Sequence, residues 1–466
     1  MDTDARFVRV VLTDTVNVNR VRVVPMLRFR HQVLTNGLGL TPALLGLPPQ
    51  FDAVYSGAPV GEVTMLPDPS TIRILPHRKT HALILADLLL PKETHKTTTQ
   101  AFPLDRHVFP LDPRALLKHA IYMLEQEFGL CVKAGFESEF ILLEKDAKTP
   151  VDNDVYADMN TFRNHRVAET LDSMVESIQD MDIVVEHFHP ESASGQYEIV
   201  TGYTDLLRAV DDLVMTRIVI KEVAQQVGGF HATFAPKVFA DQAGTASHVH
   251  LSLWDVSSSS GNGKGGGHNA YCDALTLPSS FDAVKDVMTG NVTVGMHQFM
   301  AGVLQNLPAL MALTAPTTMS FERIKPSYWS GAYQIWGVQN REAPLRVSHD
   351  GSHFEYKPLD GTANPYIALA GILFAGMAGM RDEAKLSLPV QVDPHTLSNE
   401  KRSELQIMRL PERVQQAQRL LKENAVLRSG FGDAMLDNFL AVRGKEAEYF
   451  DGLDAEEVRK LMIARY

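Results

Sequence analysis

The chain has 466 residues, 45% of them apolar and 21% charged, a composition typical of a soluble globular protein with room for a large and a smaller domain. Its net charge of −12 argues against nucleic acid or an anionic membrane surface as a main partner. The chain has only two cysteines, no signal-peptide pattern at Met1–Asp4 and no apolar run longer than Ile367–Met377, so we expect a cytoplasmic protein without disulfides or membrane spans.

The first part of the chain contains short apolar–polar alternations that predict β-strands. Residues 6–12 and 19–24 alternate valine with arginine, and residues 67–71 predict a turn before another strand. A proline-containing connector follows, so we place a domain boundary near residue 106. The predicted organisation is a small, mostly β N-terminal domain, residues 1–106, and a larger domain, residues 107–466.

The larger domain mixes helix and strand patterns. Asp112-Pro113 begins a helix that Gly129 ends, and residues 131–143 predict a strand. Thr204 is expected to cap a long helix that ends at Gly228-Gly229. The predicted fold class is therefore α+β.

A Ser/Gly-rich stretch interrupts the larger domain at residues 257–267. We interpret it as a surface loop. A phosphate-binding cradle is the alternative, but the stretch lacks the Gly-Lys-Ser/Thr ending of such cradles. Asn364-Pro365 then begins an apolar helix, and from about residue 400 the chain is charged and helical.

Glu137 and Glu139 lie two residues apart in the strand predicted for residues 131–143. Because side chains two apart in a strand point to the same face, the two carboxylates project together. Neighbouring carboxylates repel each other and are costly below the surface unless a cation lies between them. The pair therefore indicates a metal site, and a solvent-facing strand is the alternative.

Glu191 and Glu198 flank a short turn that contains Gly195. Glycine lets the backbone bend tightly, so the turn can bring both carboxylates back to one point. On its own this pattern is equally compatible with a polar surface loop.

Residues 247–252 alternate, so His248, His250 and Ser252 share one strand face. A neutral imidazole can ligate a metal while its neighbour on that face contacts a nucleotide. A lone histidine would more often be a core residue, but two histidines and a serine on one face favour a site.

Arg341 and Arg346 lie five residues apart around a proline. Such a kinked segment could hold a phosphoryl group between two guanidinium forks, with surface salt bridges as the alternative. Residues 353–357 form another alternating strand, in which Glu355 and Lys357 point the same way.

Together these side chains suit two divalent ions that bridge nucleotide phosphates. Carboxylates and imidazole are ligands of Mg²⁺ or Mn²⁺, and arginine neutralises phosphate. Phosphoryl transfer depends on such charge neutralisation and positioning. The residues alone therefore predict metal-assisted phosphoryl transfer.

Several of these segments occur in an order that is typical of one enzyme family. They are Gly135 to Phe140, His189 to Glu198, Ser247 to Ser252, Asn340-Arg341 and Asn364-Pro365-Tyr366. In this order the chain resembles the glutamine synthetase family over nearly all of its length. The run from Pro326 to Tyr333 looks most like the glutamine-synthetase-like half of the FluG-type and nodulin-type branch.

The resemblance implies a β-grasp-like N-terminal domain and a catalytic domain with a curved antiparallel sheet flanked by helices. It also implies two or more divalent ions, Mg²⁺ or Mn²⁺, at each site. Carried over by position, Glu139, Glu191 and Glu198 would hold one ion, and Glu137, His248 and Glu355 would hold the second.

The resemblance further implies a set of nucleotide and substrate contacts. ATP would be contacted by Glu186, His250 and Ser252. Lys357 would occupy the position in the nucleotide site at which the family has an arginine. Gly244 would lie beside the amino group of the substrate. Arg341 and Arg346 would stabilise the transferring phosphoryl group, Arg323 would bind the amino-acid carboxylate, and Asp52 would be the ammonium-binding aspartate.

Two departures from the family pattern concern the acceptor side of the site. Trp329 stands where the family has a glutamate that closes over the intermediate, and Ala243 replaces an asparagine. An indole in place of a carboxylate removes a cation site and adds an apolar wall. The expected acceptor is then an organic amine rather than ammonium.

The resemblance implies an ATP-dependent ligase that activates the γ-carboxylate of glutamate and joins it to ammonium or an amine. Glutamine synthetase itself is one alternative. A non-catalytic nucleotide-binding scaffold or signalling protein is another. The resemblance also implies a ring-shaped homo-oligomer with active sites between subunits.

Overall fold

The computed structural model describes residues 4–50, 54, 56, 60–91, 108–256 and 294–466. Within these ranges the chain forms two β-sheets with separate hydrophobic cores. The predicted boundary near residue 106, the predicted loop at residues 257–267 and Asp52 lie outside the described residues, so these three points stay predictions.

The N-terminal sheet has six strands in the order β2-β1-β6-β4-β3, with β5 paired to β6. The pair β1 and β6 is parallel, and the other pairs are antiparallel. A helical segment, residues 26–36, buries Phe29 and Val33 against it. The strands are β1 (Phe7–Thr13), β2 (Asn19–Pro25), β3 (Leu38–Leu40), β4 (Val63–Pro67), β5 (Arg73–Ile74) and β6 (His81–Leu89).

The second sheet has nine strands in the order β13-β14-β15-β12-β7-β9-β8, with β10 and β11 paired to β7. Only the pair β13 and β14 is parallel among the described strands of this sheet. The strands are β7 (Leu130–Leu143), β8 (Val185–Pro190), β9 (Gln196–Thr201), β10 (Thr204–Asp205), β11 (His231–Thr233), β12 (Ser247–Asp255), β13 (Trp336–Val338), β14 (Leu345–Val347) and β15 (Phe354–Tyr356).

Helices cover the second sheet and form the C-terminal part of the chain. As predicted, Asp112 caps the first of them through its side chain, and Gly129 ends it with a φ of 65°. The helices are α1 (Pro113–Phe128), α2 (His165–Gln179), α3 (Leu206–Val223), α4 (Val294–Thr314), α5 (Thr318–Arg323), α6 (Pro365–Arg381), α7 (Asn399–Glu404), α8 (Val414–Glu423), α9 (Ala425–Asp451) and α10 (Ala455–Arg465).

Helices α4 and α6 approach each other closely in the main core. A Cβ on Gly302 would lie 2.2 Å from the carbonyl oxygen of Ala375, and one on Gly379 would lie 2.2 Å from that of Gln298. Helix α6 is buried on nearly every side, so its sequence is apolar all round instead of amphipathic.

The predicted cap at Thr204 is wrong. Thr204 and Asp205 form the short strand β10 against Ala134 and Lys133, so the backbone of Thr204 takes part in the sheet instead of beginning a helix. Helix α3 begins one residue after this strand, continues into a π-helical turn, and ends at Gly229 with a φ of 68° as predicted.

Ionic contacts join the N-terminal sheet to the helices. The buried guanidinium of Arg114 on α1 donates to Asp211 on α3 at 2.7 Å, to Asp87 at 2.8 Å and to Asp68 at 2.9 Å. The predicted α+β architecture, a small strand domain followed by a large sheet flanked by helices, is confirmed. Among the described helices, none combines the length and the apolar character that crossing a bilayer requires.

Candidate active site

Strand register brings the predicted metal ligands together at the centre of the second sheet. In the pairing of β7 with β12, Glu137 lies opposite His248. In the pairing of β7 with β9, Glu139 lies opposite Glu198. Residues directly opposite in antiparallel strands have Cβ atoms about 5 Å apart, so this register alone gathers four ligand side chains on one face.

These side chains open into a cavity of about 590 Å³. Of the fifteen site residues predicted from the sequence, twelve line it, and they come from stretches that are far apart in the chain. The twelve are Glu137, Glu139, Glu191, Glu198, Gly244, His248, His250, Arg323, Arg341, Arg346, Glu355 and Lys357.

Two described site residues do not line this cavity. Glu186 is exposed on β8, next to an irregularity in the pairing with β9. Ser252 is buried on β12, where its hydroxyl oxygen accepts a hydrogen bond of 2.8 Å from Trp254 Nε1. Their assignment to ATP stays a prediction.

A glycine turn leads into the strand that carries Glu198, and the glutamine that follows the glycine binds Glu139. Gly195 has a φ of 65°, and a Cβ there would lie 2.6 Å from the carbonyl oxygen of Leu142. Gln196 Nε2 then donates to Glu139 Oε2 at 2.9 Å and to the carbonyl oxygen of Gly244 at 3.0 Å. A side chain at position 195 would clash with the carbonyl oxygen of Leu142, which explains why the turn predicted between Glu191 and Glu198 contains glycine.

His248 lies among three carboxylates. Its Nδ1 is 3.0 Å from Glu137 Oε2, 3.3 Å from Glu355 Oε1 and 3.7 Å from Glu139 Oε1. The donor atoms of Glu137, His248 and Glu355 all lie within 4.8 Å of one another, which is close enough to share one metal ion. These are the three residues predicted to hold the second ion.

The carboxylates differ in how the site affects their ionisation. Burial, followed by the charges of Glu137, Glu139, Glu191 and Glu355, raises the pKa of Glu198 to about 10. Burial also raises the pKa of Glu139. For Glu137, burial is outweighed by hydrogen bonds to His248 and His250, which hold its pKa well below the usual range.

The donor set fits hard divalent cations. Five carboxylates and one imidazole are the ligand types that Mg²⁺ and Mn²⁺ accept. No side-chain hydrogen bond or ion pair joins Glu198 to another described residue. The carboxyl group of Glu198 is buried among four other glutamates and stays protonated. A cation bound beside it would favour the ionised carboxylate.

Basic groups border the carboxylates on one side. Arg346 Nη1 lies 3.0 Å from Glu355 Oε2, and its Nη2 donates to Gln339 at 3.0 Å. Lys357 Nζ lies 3.4 Å from the other oxygen of Glu355. Glu355 therefore lies between a guanidinium and an ammonium group. Burial raises its pKa, but the charges of Lys357 and His248 outweigh burial and leave the pKa below its usual value.

Arg323 is a buried guanidinium with a free hydrogen-bond donor. Its Nη2 donates at 3.4 and 3.5 Å to the carbonyl oxygens of Lys357 and Leu359, while Nε lacks a partner among the described residues. A Cβ on Gly244 would lie 2.3 Å from Arg323 Cγ, so glycine is needed there to leave room for the arginine side chain.

Sequence reasoning missed two features of the site. His187 and His189 of β8 stack at 5.6 Å, and with Glu198 they form a second group of donors within 4.8 Å. Their alternation is the same signal that marked His248 and His250. Glu342, a buried acid between the two arginines, binds the backbone of Trp329 and had no such signal.

Comparisons with known proteins support one family. The family model described as glutamine synthetase, catalytic domain, matches residues 110–461. The chain is 29% identical to "Protein fluG" of Emericella nidulans over 462 residues, 96% of this chain and 47% of that protein, so it spans about half the length of that relative.

Two further relatives are matched over most of their length. "Type-1 glutamine synthetase 1" of Dictyostelium discoideum is 30% identical over 427 residues, 86% of this chain and 77% of that protein. "Gamma-glutamylpolyamine synthetase GlnA3" of Streptomyces coelicolor is 28% identical over 460 residues, 96% of this chain and 90% of that protein.

Solved structures share the fold over the whole chain. A "GmaS/ADP complex" superposes with a TM-score of 0.80 at 24% identity, covering 98% of this chain and 97% of the other. A "novel glutamine synthase homolog" superposes with a TM-score of 0.79 at 27% identity, covering 99% of each chain.

Proposed function

Because this chain belongs to the glutamine synthetase family, whose members are carbon–nitrogen ligases, we propose that it uses ATP to join the γ-carboxylate of glutamate to an amine. The acceptor is ammonium or an organic amine. The observation that carries the proposal is the single cavity lined by five glutamates, His248 and three arginines.

The chemistry requires activation of the carboxylate, since hydroxide is too poor a leaving group for an amine to displace. Transfer of the γ-phosphoryl group of ATP gives γ-glutamyl phosphate and ADP. The amine nitrogen then attacks the carbonyl carbon, the bond to the phosphate oxygen breaks, and the amide, phosphate and a proton are released. Positioning and charge neutralisation are the main tasks of the protein in such a reaction.

The carboxylates and His248 are the groups that would hold two divalent cations. Glu139, Glu191 and Glu198 would hold one, and Glu137, His248 and Glu355 would hold the other. When bound, the cations supply positive charge to the phosphate oxygens. His250, whose Nε2 lies 2.9 Å from Glu137 Oε1 on the same cavity wall, would contact the nucleotide.

The arginines act on the two anionic ends of the reactants. Arg341, in the segment after β13, and Arg346, on β14, line the cavity, where they would neutralise the transferring phosphoryl group. Arg323 has an unpartnered buried Nε and binds the α-carboxylate of glutamate. Charge-assisted bonds of this kind are stronger than neutral ones, so they fix the substrate firmly.

The acceptor and the assembly are further parts of the proposal. The Streptomyces relative is named a gamma-glutamylpolyamine synthetase and the Dictyostelium relative a glutamine synthetase, so the family supports an organic amine as well as the acceptor of glutamine synthetase. A ring-shaped homo-oligomer, in which Asp52 of one subunit completes the site of the next, is proposed on family resemblance. Light scattering of the purified protein tests it, and a monomer would contradict it.

Steady-state phosphate release measured with glutamate, ATP, Mg²⁺ and a panel of amines tests the activity. Release that depends on an organic amine supports the amide ligase. Release with ammonium alone supports glutamine synthetase. No release with any amine, despite measurable ATP binding, supports a non-catalytic nucleotide-binding protein and contradicts the ligase.

A further inference from the structure

The mouth of the candidate active site carries three exposed aromatic side chains. Tyr156 is 64% exposed, Tyr328 is 53% exposed and Trp329 is 50% exposed, and all three line the cavity. Most of the other described lining residues have ionisable side chains, counting three histidines. Aromatic groups exposed together at the rim of a polar cavity indicate a surface that contacts an apolar ligand.

The backbone that presents these aromatics lies in the left-handed region. The φ angles are 54° at Tyr156, 59° at Ser327 and 54° at Trp329. Residues other than glycine adopt such angles only where surrounding contacts impose them, and these positions are concentrated at functional sites. A contact of this kind exists at Tyr156, whose backbone N–H donates to the carbonyl oxygen of Glu191 at 2.9 Å.

Glu342 supplies the contact that holds Trp329. The backbone N–H of Trp329 donates to Glu342 Oε1 at 3.0 Å, and Glu342 is only 6% exposed. Glu342 is itself fixed, because its N–H donates to Asn340 Oδ1 at 3.0 Å and Asn340 Nδ2 donates to the carbonyl oxygen of Val390 at 2.7 Å. A buried carboxyl thus ties the loop that carries Trp329 to the arginine segment.

Cations already occupy one face of two of the rings. The guanidinium carbon of Arg341 lies 5.3 Å from the centre of the Trp329 ring, and Lys237 Nζ lies 5.3 Å from that of Tyr328. A positive charge on a ligand against the opposite ring faces would be repelled by these cations. An uncharged hydrocarbon group would not be repelled.

Among the described lining residues, no carboxylate is left over to bind a second positive charge on the acceptor. The acidic residues among the described lining are Glu137, Glu139, Glu191, Glu198 and Glu355, and all five are assigned to the divalent cations. Glu342 faces the loop backbone and is not among the lining residues. The mouth is therefore apolar on its surface and cationic behind it.

We propose that Glu342 is a positioning residue that holds Trp329 as the wall of an acceptor subsite for primary amines with an uncharged alkyl or aryl body. Diamines and polyamines, whose second ammonium group meets Arg341 and Lys237, are rejected. The inference rests on the proposed function, because an amine is a substrate of this protein only if the protein is an amide ligase. The reacting amine contributes its lone pair to the new C–N bond, phosphate leaves with the bonding electrons, and the amine proton passes to water.

The first test is the ranking of acceptors by kcat/KM with the wild-type protein, glutamate, ATP and Mg²⁺. Benzylamine and putrescine are compared, with hydroxylamine as a small acceptor that does not need the wall. Repulsion between unit charges about 10 Å apart at a protein surface predicts a preference for benzylamine on the order of tenfold. Equal or better use of putrescine would overturn the inference.

The reaction with hydroxylamine distinguishes a failure of the inferred acceptor subsite from a failure of the proposed ligase function. If γ-glutamyl hydroxamate forms but benzylamine is no better than putrescine, the acceptor subsite is wrong and the ligase stands. If neither hydroxamate nor any amide forms, the proposed function itself fails. Each outcome therefore bears on a different claim.

The second test addresses Glu342 directly. Glu342→Ala removes the acceptor of the Trp329 N–H, so the KM for benzylamine should rise about tenfold while kcat at saturation changes less. Glu342→Gln keeps an oxygen acceptor and should restore the wild-type KM. Glu404→Ala, at an exposed glutamate on α7, is the matched control. An unchanged KM for benzylamine in Glu342→Ala would show that the glutamate does not position the wall.

Discussion

The protonated state of Glu198 links divalent-cation binding to pH. Burial and four neighbouring glutamates raise the pKa of this carboxyl to about 10, so in the cation-free protein it carries a proton at pH 7 to 9. A cation that uses Glu198 as a ligand must displace that proton. The change tested is Glu198→Gln, which keeps the shape of the side chain but cannot titrate.

The expected magnitude follows from the proton count. One proton displaced on binding makes the dissociation constant for Mg²⁺ fall about tenfold for each pH unit, or about 1.4 kcal/mol, as long as the pH is below about 10. The wild-type protein should therefore release about one proton more per site than Glu198→Gln. The slope of the logarithm of the Mg²⁺ dissociation constant against pH should be smaller in the variant by about one, which corresponds to this one proton.

Calorimetric titration of Mg²⁺ measures both quantities. Titrations at pH 7, 8 and 9 in buffers of different ionisation enthalpy give the affinity and the number of protons released. Glu404→Gln, at an exposed glutamate outside the cavity, is the matched control and should behave like wild type. Equal proton release by wild type and Glu198→Gln would refute the assignment of Glu198 as a cation ligand that is protonated in the cation-free protein.

Three further predictions concern stability, nucleotide binding and substrate binding. The pKa of Glu198 is about 10 in the folded protein and about 4.5 in the unfolded protein, so the cation-free protein should lose thermal stability as the pH rises from 6 to 9. The Glu198→Gln variant should lose less stability over the same range. Melting temperatures that change in parallel with pH in both proteins would contradict this prediction. Glu139→Ala should abolish Mg²⁺-dependent ATP binding in calorimetry, whereas an unchanged affinity would count against the metal site. Gly244→Ala places a Cβ 2.3 Å from Arg323 Cγ, so the KM for glutamate should rise about tenfold or more, with no rise expected only if Arg323 does not bind this substrate.

The strand pattern was sufficient to predict much of the site. The two-residue spacing of Glu137 and Glu139 placed both on one face, and the strand predicted at residues 131–143 is β7, the strand to which β9, β10, β11 and β12 pair. The pairing of Glu139 with Glu198 is a long-range register, however, and no local pattern determines it. The family resemblance supplied that connection.

Other features depend on tertiary contacts and had no local signal. An aromatic residue gives no indication of a left-handed φ, and Trp329 adopts one where its backbone N–H meets the buried carboxyl of Glu342. The predicted cap at Thr204 failed because sheet pairing with Ala134 took its backbone. His187 and His189 had the alternation of a site strand, and applying the same reasoning to them would have found the second donor group.

Activation of the glutamate carboxylate by phosphoryl transfer is tested most directly with an isotope. Glutamate labelled with ¹⁸O in the γ-carboxylate is incubated with ATP, Mg²⁺ and a saturating amine, and the released phosphate and the amide are analysed by mass spectrometry. If γ-glutamyl phosphate forms, each phosphate carries one labelled oxygen and matches one amide. Unlabelled phosphate would show that ATP is hydrolysed by water, and carboxylate activation at this site would be contradicted.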